Sequence, residues 1–117
     1  MKYHLYHKEN MIAVVEEDDA DFPTFFGRYA LSPSIDTPAL SHIRFYVNYS
    51  VRVWPLIEQD RCDEIDVSEE QAFADLIESP DWNLVEAETG RRSPILIPIF
   101  CTDNRINWRL NPDVKKG

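Results

Sequence analysis

Glycine is scarce in this chain, three in 117 residues, and the eight prolines are spread out, so no flexible linker, low-complexity tract or internal repeat divides it. A loop that cradles phosphate needs several spaced glycines, normally at a helix N-terminus. Gly27-Arg28 offers one glycine and does not meet that requirement. Cysteine is scarcer still: Cys62 and Cys101 lie far apart and read most simply as free thiols, too few for a zinc site. Long apolar runs are missing as well. The opening MKYHLYHKENMIAVV contains only the run Met11 to Val15, too short for a signal-peptide core or a bilayer span, so the expected location is the cytosol. Positive charge is in short supply, with 12 Lys and Arg against 21 Asp and Glu and a net charge of −9. Nucleic-acid affinity comes chiefly from Lys and Arg neutralising phosphates, so this balance argues against nucleic acid and against anionic membrane surfaces as partners.

What is present is a globular composition: 44% hydrophobic residues, with three Trp, five Tyr and six Phe, in a length that suits one core. We read residues 1–117 as one α+β domain, with a frayed tail over 112–117. The charge is unevenly spread. Residues 1–90 hold 6 basic and 19 acidic side chains, a net of −13, and residues 91–117 hold 6 and 2, a net of +4. Such a polarity points to a basic protein, a cation, or another copy of the chain docked acidic part to basic part.

The periodicities predict an N-terminal β-hairpin, with Tyr3 to His7 alternating, a turn at Lys8-Glu9-Asn10, and Met11 to Val15 as a mostly buried strand. Phe25 to Leu31 reads as a third strand and residues 32–38 as a loop. In ALSHIRFYVNYSVRVWPLIEQ both periods fit: Leu40, Ile43, Val47, Val51, Trp54 and Ile57 recur at helical spacing, while Phe45, Val47, Tyr49, Val51 and Val53 alternate. Persistence over about 18 residues favours a helix, with Pro55 expected to kink or end it near Val53. A second helix is expected from Ser68 to Glu78, capped by Ser68 with Gln71 in the capping-box position and an apolar stripe of Phe73, Leu76 and Ile77. The C-terminal third reads as a three-stranded antiparallel meander over residues 82–87, 94–102 and 105–110, with tight turns at Glu88-Thr89-Gly90 and Asp103-Asn104 and a bulge at Pro98. The expected architecture is an antiparallel sheet with two helices on one face.

One stretch, EEDDADFPTFFGRY at residues 16–29, invites a chemical reading. A calcium loop of the EF-hand type needs glutamate at its twelfth position, and starts at Glu16, Glu17, Asp18, Asp19 or Asp21 put Gly27, Arg28, Tyr29, Ala30 or Ser32 there. The run therefore reads as a solvated strand exit, with Phe22 and Phe25 or Phe26 turning back into the core and Arg28 pairing with a neighbouring carboxylate. His4 and His7 would face opposite sides of a strand, which argues against joint metal ligation. Cys101 ends an apolar strand and reads as core. The candidate binding residues are Asp19, Asp21, Phe22, Arg28, Trp54, Arg105 and Arg109; no catalytic residue, metal ligand or cofactor is assigned.

The segment MIAVVEEDDADFPTFFGRYALSP, residues 11–33, resembles the opening of a set of small bacterial proteins in which an apolar strand runs into acidic residues, then Asp-Phe-Pro, aromatics and Gly-Arg. Those proteins continue with a helical middle and a β-rich C-terminus. The resemblance implies a bacterial cytosolic α+β domain and no activity. The function expected from the sequence is an acidic interaction domain that binds a basic protein, in the manner of a toxin-neutralising immunity protein. A small enzyme or ligand binder using Arg28 and nearby acids is the alternative, and homodimerisation a third.

Overall fold

Alternation sets the first strands. In β1 (Lys2–His7) Leu5 and His7 are buried between more exposed neighbours, and the chain turns at Lys8, in the left-handed region at φ 56°, into the twelve-residue β2 (Asn10–Asp21). A two-residue turn, Phe22 and a cis-bonded Pro23, leads to β3 (Thr24–Leu31). Then come α1 (Ser41–Glu58), the short helices α2 (Val67–Gln71) and α3 (Ala74–Ile77), and strands β4 (Trp82–Glu86), β5 (Arg92–Pro94), β6 (Ile99–Phe100) and β7 (Arg105–Arg109). This is a computed structural model, and it describes residues 1–112; the expected tail beyond Pro112 lies outside the described residues. The fold is α+β, with one seven-stranded antiparallel sheet in the order β5-β4-β1-β2-β3-β7-β6.

β5 and β6 stand at opposite ends of that order, yet only four residues of chain separate them. The sheet must therefore curl. Ile95 bridges Leu110, the Leu96 N–H donates to the Arg109 carbonyl at 2.9 Å, and the Asn111 N–H donates to that of Pro94 at 3.1 Å. Tyr3 of β1 and Trp108 of β7, with two strands between them in the order, bring their ring centroids to 6.3 Å. Pro98, which has no N–H to give a ladder, falls in the gap between β5 and β6, and its carbonyl accepts from Tyr46 Oη at 2.8 Å. Before β7, Asp103 and Asn104 both take positive φ, 59° and 58°, a conformation that Asp and Asn side chains tolerate in tight hairpin turns.

The middle segment is a helix because burial follows its helical period: Ile43, Tyr46, Val47, Ser50 and Val53 face the core, while Phe45, inward on the alternating pattern, is 62% exposed. The expected stop near Val53 does not occur. Pro55 removes one backbone hydrogen bond, the one that would reach the Val51 carbonyl, and the helix runs on for three residues beyond it. The chain leaves through a left-handed Asp60 (φ 57°), with Asp60 N–H to Ile57 carbonyl at 3.1 Å and Arg61 N–H to Leu56 carbonyl at 2.7 Å, the pairing of a Schellman end.

The expected helix over 68–78 is broken. Its cap is Asp66, whose carboxylate accepts from Ser68 N–H at 2.9 Å, so the helix starts before Ser68. Tightened i to i−3 bonds from Ala72, Phe73 and Leu76 interrupt it at Phe73. The break lets the Phe73 ring lodge among His42, Tyr46 and Tyr49, with centroids at 5.4, 5.7 and 5.1 Å. Tertiary packing here overrides local helical preference. Leu5, Ile12, Val15, Ile95, Ile106 and Trp82 have no measurable exposure and form the middle of the core, each contributing about 1.5–3 kcal/mol by its burial. The Trp82 indole N–H donates to the Leu76 carbonyl at 2.9 Å and ties α3 to the sheet.

Candidate functional site

The acidic run does not leave the strand at Glu16. It stays in β2 to Asp21 and pairs residue by residue with β3, with one irregularity: Glu17 faces Gly27, Asp19 faces Phe26, and Asp18 is the extra residue of a bulge. Gly27 is required there, since a Cβ would sit 2.3 Å from the Glu16 carbonyl oxygen. Asp18 accepts both terminal nitrogens of Arg105, at 2.7 and 3.1 Å, and lies 3.9 Å from Arg28. Two arginines thus gather on one carboxylate, and the ion pair with Arg105 joins β2 to β7.

Phe22 does not re-enter the core. The tight turn carries it past the sheet end, where it is 84% exposed, and Phe25 makes the inward contact instead, stacked on Trp108 at 6.0 Å. Asp19 turns back to accept from the Ala20 N–H at 2.8 Å, and Asp21 is exposed at the strand end. The Arg28 side chain is 71% exposed in a shallow depression with Val14, Glu16, Tyr29 and Ala30, so no converging set of carboxylates surrounds it. Trp54 and Arg109 do come together, along one concavity with Leu96 and Ile99. Trp82 and Trp108 are core, leaving the half-buried Trp54 as the tryptophan at the surface.

Burial pushes the Cys101 thiol up to about 12, away from the thiolate form at neutral pH, while Cys62 is exposed. His7 is buried, shares a 2.9 Å hydrogen bond with Ser79 Oγ and packs on Trp82; burial lowers its pKa from the ordinary 6.5. His42 contacts Asp75 at 3.0 Å, and that hydrogen bond holds the Asp75 carboxyl below its usual range. Among the described residues no three His, Cys, Asp or Glu side chains are placed to hold a metal ion, and no helix is long and apolar enough to cross a membrane.

The largest charged feature is elsewhere and escaped the sequence reading. Residues 58–81 carry ten acidic side chains and a single arginine, a net of −9, so the rest of the chain, with eleven of each sign, is neutral. A charge count in a sliding window would have found it; averaging over residues 1–90 hid it. Arg61 pairs with Glu64, Arg52 with Glu69 at 2.5 Å, and His42 with Asp75, whereas Glu58, Asp60, Asp63, Glu70 and Glu78 make no ion pair among the described residues. Within this face α2 and α3 enclose a depression of about 270 Å³ lined by Val67, Ala74 and Ile77 together with Glu70, Gln71 and Glu78. Val67 is 64% exposed and Ile77 37%, so apolar surface stays open to water between carboxylates. Comparison with known proteins returned no matching family model, no similar curated protein and no similar solved structure.

Proposed function

We propose that this protein is an interaction domain that binds a basic protein partner through the face formed by residues 58–81; an immunity protein that neutralises a basic toxin is one concrete form. The observation that carries this reading is the coincidence of the chain's whole net charge with an open apolar depression in one stretch. Unpaired carboxylates steer a cationic partner and set its orientation. Exposed Val67 and Ile77 give it apolar area to bury, from which most affinity derives. The acidic run of β2 supports the reading less, because Arg28 and Arg105, gathered at Asp18, offset two of its five charges and leave a smaller excess than the stretch over 58–81.

The test is capture from native lysate on the immobilised protein. The expected result is a partner retained at low salt, released as rising salt shortens the Debye length, and lost from the doubly substituted Glu70→Lys, Glu78→Lys protein. Equal retention by that variant, or no salt-sensitive partner for the unsubstituted protein, would overturn the proposal.

A further inference from the structure

Arginines in this acidic chain are mostly spoken for. Arg28 and Arg105 share Asp18, Arg44 faces Asp36, Arg52 pairs with Glu69 and Arg61 with Glu64. Arg109 is different. Its Nε donates to Thr24 Oγ1 at 3.0 Å, a neutral partner that holds the guanidinium in place, and among the described residues its two Nη groups have neither hydrogen bond nor carboxylate. No carboxylate therefore offsets it among the described residues, and the fork of its two Nη groups is unused.

The same arginine edges a concavity of about 470 Å³, within the usual range for small-molecule sites. Trp54 from α1, Leu96, Ile97 and Ile99 from the segment around Pro98, and Trp108 form its apolar lining; Thr24 and Asn107 add neutral polar groups. The lining contains no carboxylate, although acids outnumber bases 21 to 12 in the chain. An apolar lining with one oriented cation selects a ligand of matching make-up.

We propose that this concavity binds a small carboxylic acid with an apolar body, the carboxylate paired with the Arg109 Nη groups and the hydrocarbon or aromatic portion laid against Trp54, Leu96 and Ile99. The site shares no residue with the acidic face over 58–81 and stands or falls independently of it. A neutral apolar molecule would gain the lining contacts without the charged pair, and a hydrophilic anion the reverse, so affinity should need both parts.

Sodium octanoate is a suitable probe, with 1-octanol and sodium acetate as the two partial ligands. Titrations are followed by tryptophan fluorescence and by chemical-shift changes of Trp54 and Arg109. The expected result is saturable octanoate binding, with acetate and octanol at least about tenfold weaker, a difference of about 1.4 kcal/mol. Arg109→Gln should lower octanoate affinity by a similar factor while leaving octanol unchanged, and Arg109→Lys should recover part of it. Arg91→Gln, a control on an exposed arginine outside the concavity, should behave as the unsubstituted protein. Absence of saturable binding, equal binding of octanol and octanoate, or an Arg109→Gln protein that binds octanoate normally would overturn the proposal. Circular dichroism of each variant separates loss of binding from loss of fold.

Discussion

Gly27 illustrates how one residue can be fixed by its neighbours' backbone rather than by its own freedom. Its φ is ordinary; the obstacle to any other side chain is the Glu16 carbonyl oxygen, 2.3 Å from where a Cβ would stand. Gly27→Ala must push the two strands apart at the bulge that presents Asp18 to Arg105, and we expect a loss of about 2–3 kcal/mol in urea denaturation; a loss under about 0.5 kcal/mol would contradict the account. The sequence reading anticipated Arg28 beside a carboxylate, because an arginine next to acids has few other uses. It misplaced Phe22, since an aromatic in an apolar-looking run is presumed to bury. A two-residue turn protruding beyond the sheet cannot be read from composition. Convergence of Trp54 with Arg109 was equally invisible, because it depends on the sheet curling until β7 meets the end of α1.

Helix α1 and strand β6 show how elements complete one another. Ser50, buried on the helix, donates to the Phe100 carbonyl and accepts from the Phe100 N–H, both at 2.9 Å, so one hydroxyl occupies the place of a neighbouring strand on the outer side of this edge strand. Ser50→Ala leaves both backbone groups buried without partners, and the expected cost is about 2–6 kcal/mol, from about 1–3 for each unsatisfied group. Urea denaturation measures it, and a value near zero would mean the edge finds water or rearranges. The segment 41–58 was legible as a helix from the length of its apolar repeat, yet nothing in the sequence marked Ser50 as a strand cap. The pair α2 and α3 was legible only in outline. Its apolar stripe was visible, but the break at Phe73 comes from packing against His42, Tyr46 and Tyr49, which lie 24 to 31 residues earlier in the sequence.

At the scale of the whole molecule, stability should follow pH through His7. Burial lowers its folded-state pKa below the 6.5 of the unfolded chain, despite the opposing pull of Asp81 and Asp75 and with a smaller contribution from Lys8. The unfolded state then binds more protons, so unfolding free energy falls as pH drops through 6.5 and levels off below the folded-state value. Between pH 7.5 and about 5.5, before most carboxylates titrate, thermal melts should show a falling midpoint that His7→Gln, which can still bond Ser79, largely removes; an unchanged slope in that variant would assign the effect elsewhere.

Charge is organised at this scale too. An otherwise neutral chain carries its net charge on the stretch from Glu58 to Asp81, whereas the acidic strand that first draws attention is partly offset by Arg28 and Arg105 at Asp18. The most direct test of that distinction compares two charge reversals in one capture experiment at low salt. Glu70→Lys with Glu78→Lys should abolish retention of the basic partner, and Asp19→Lys with Asp21→Lys should leave it within about twofold. Loss of the partner from the second protein with retention by the first would contradict the account.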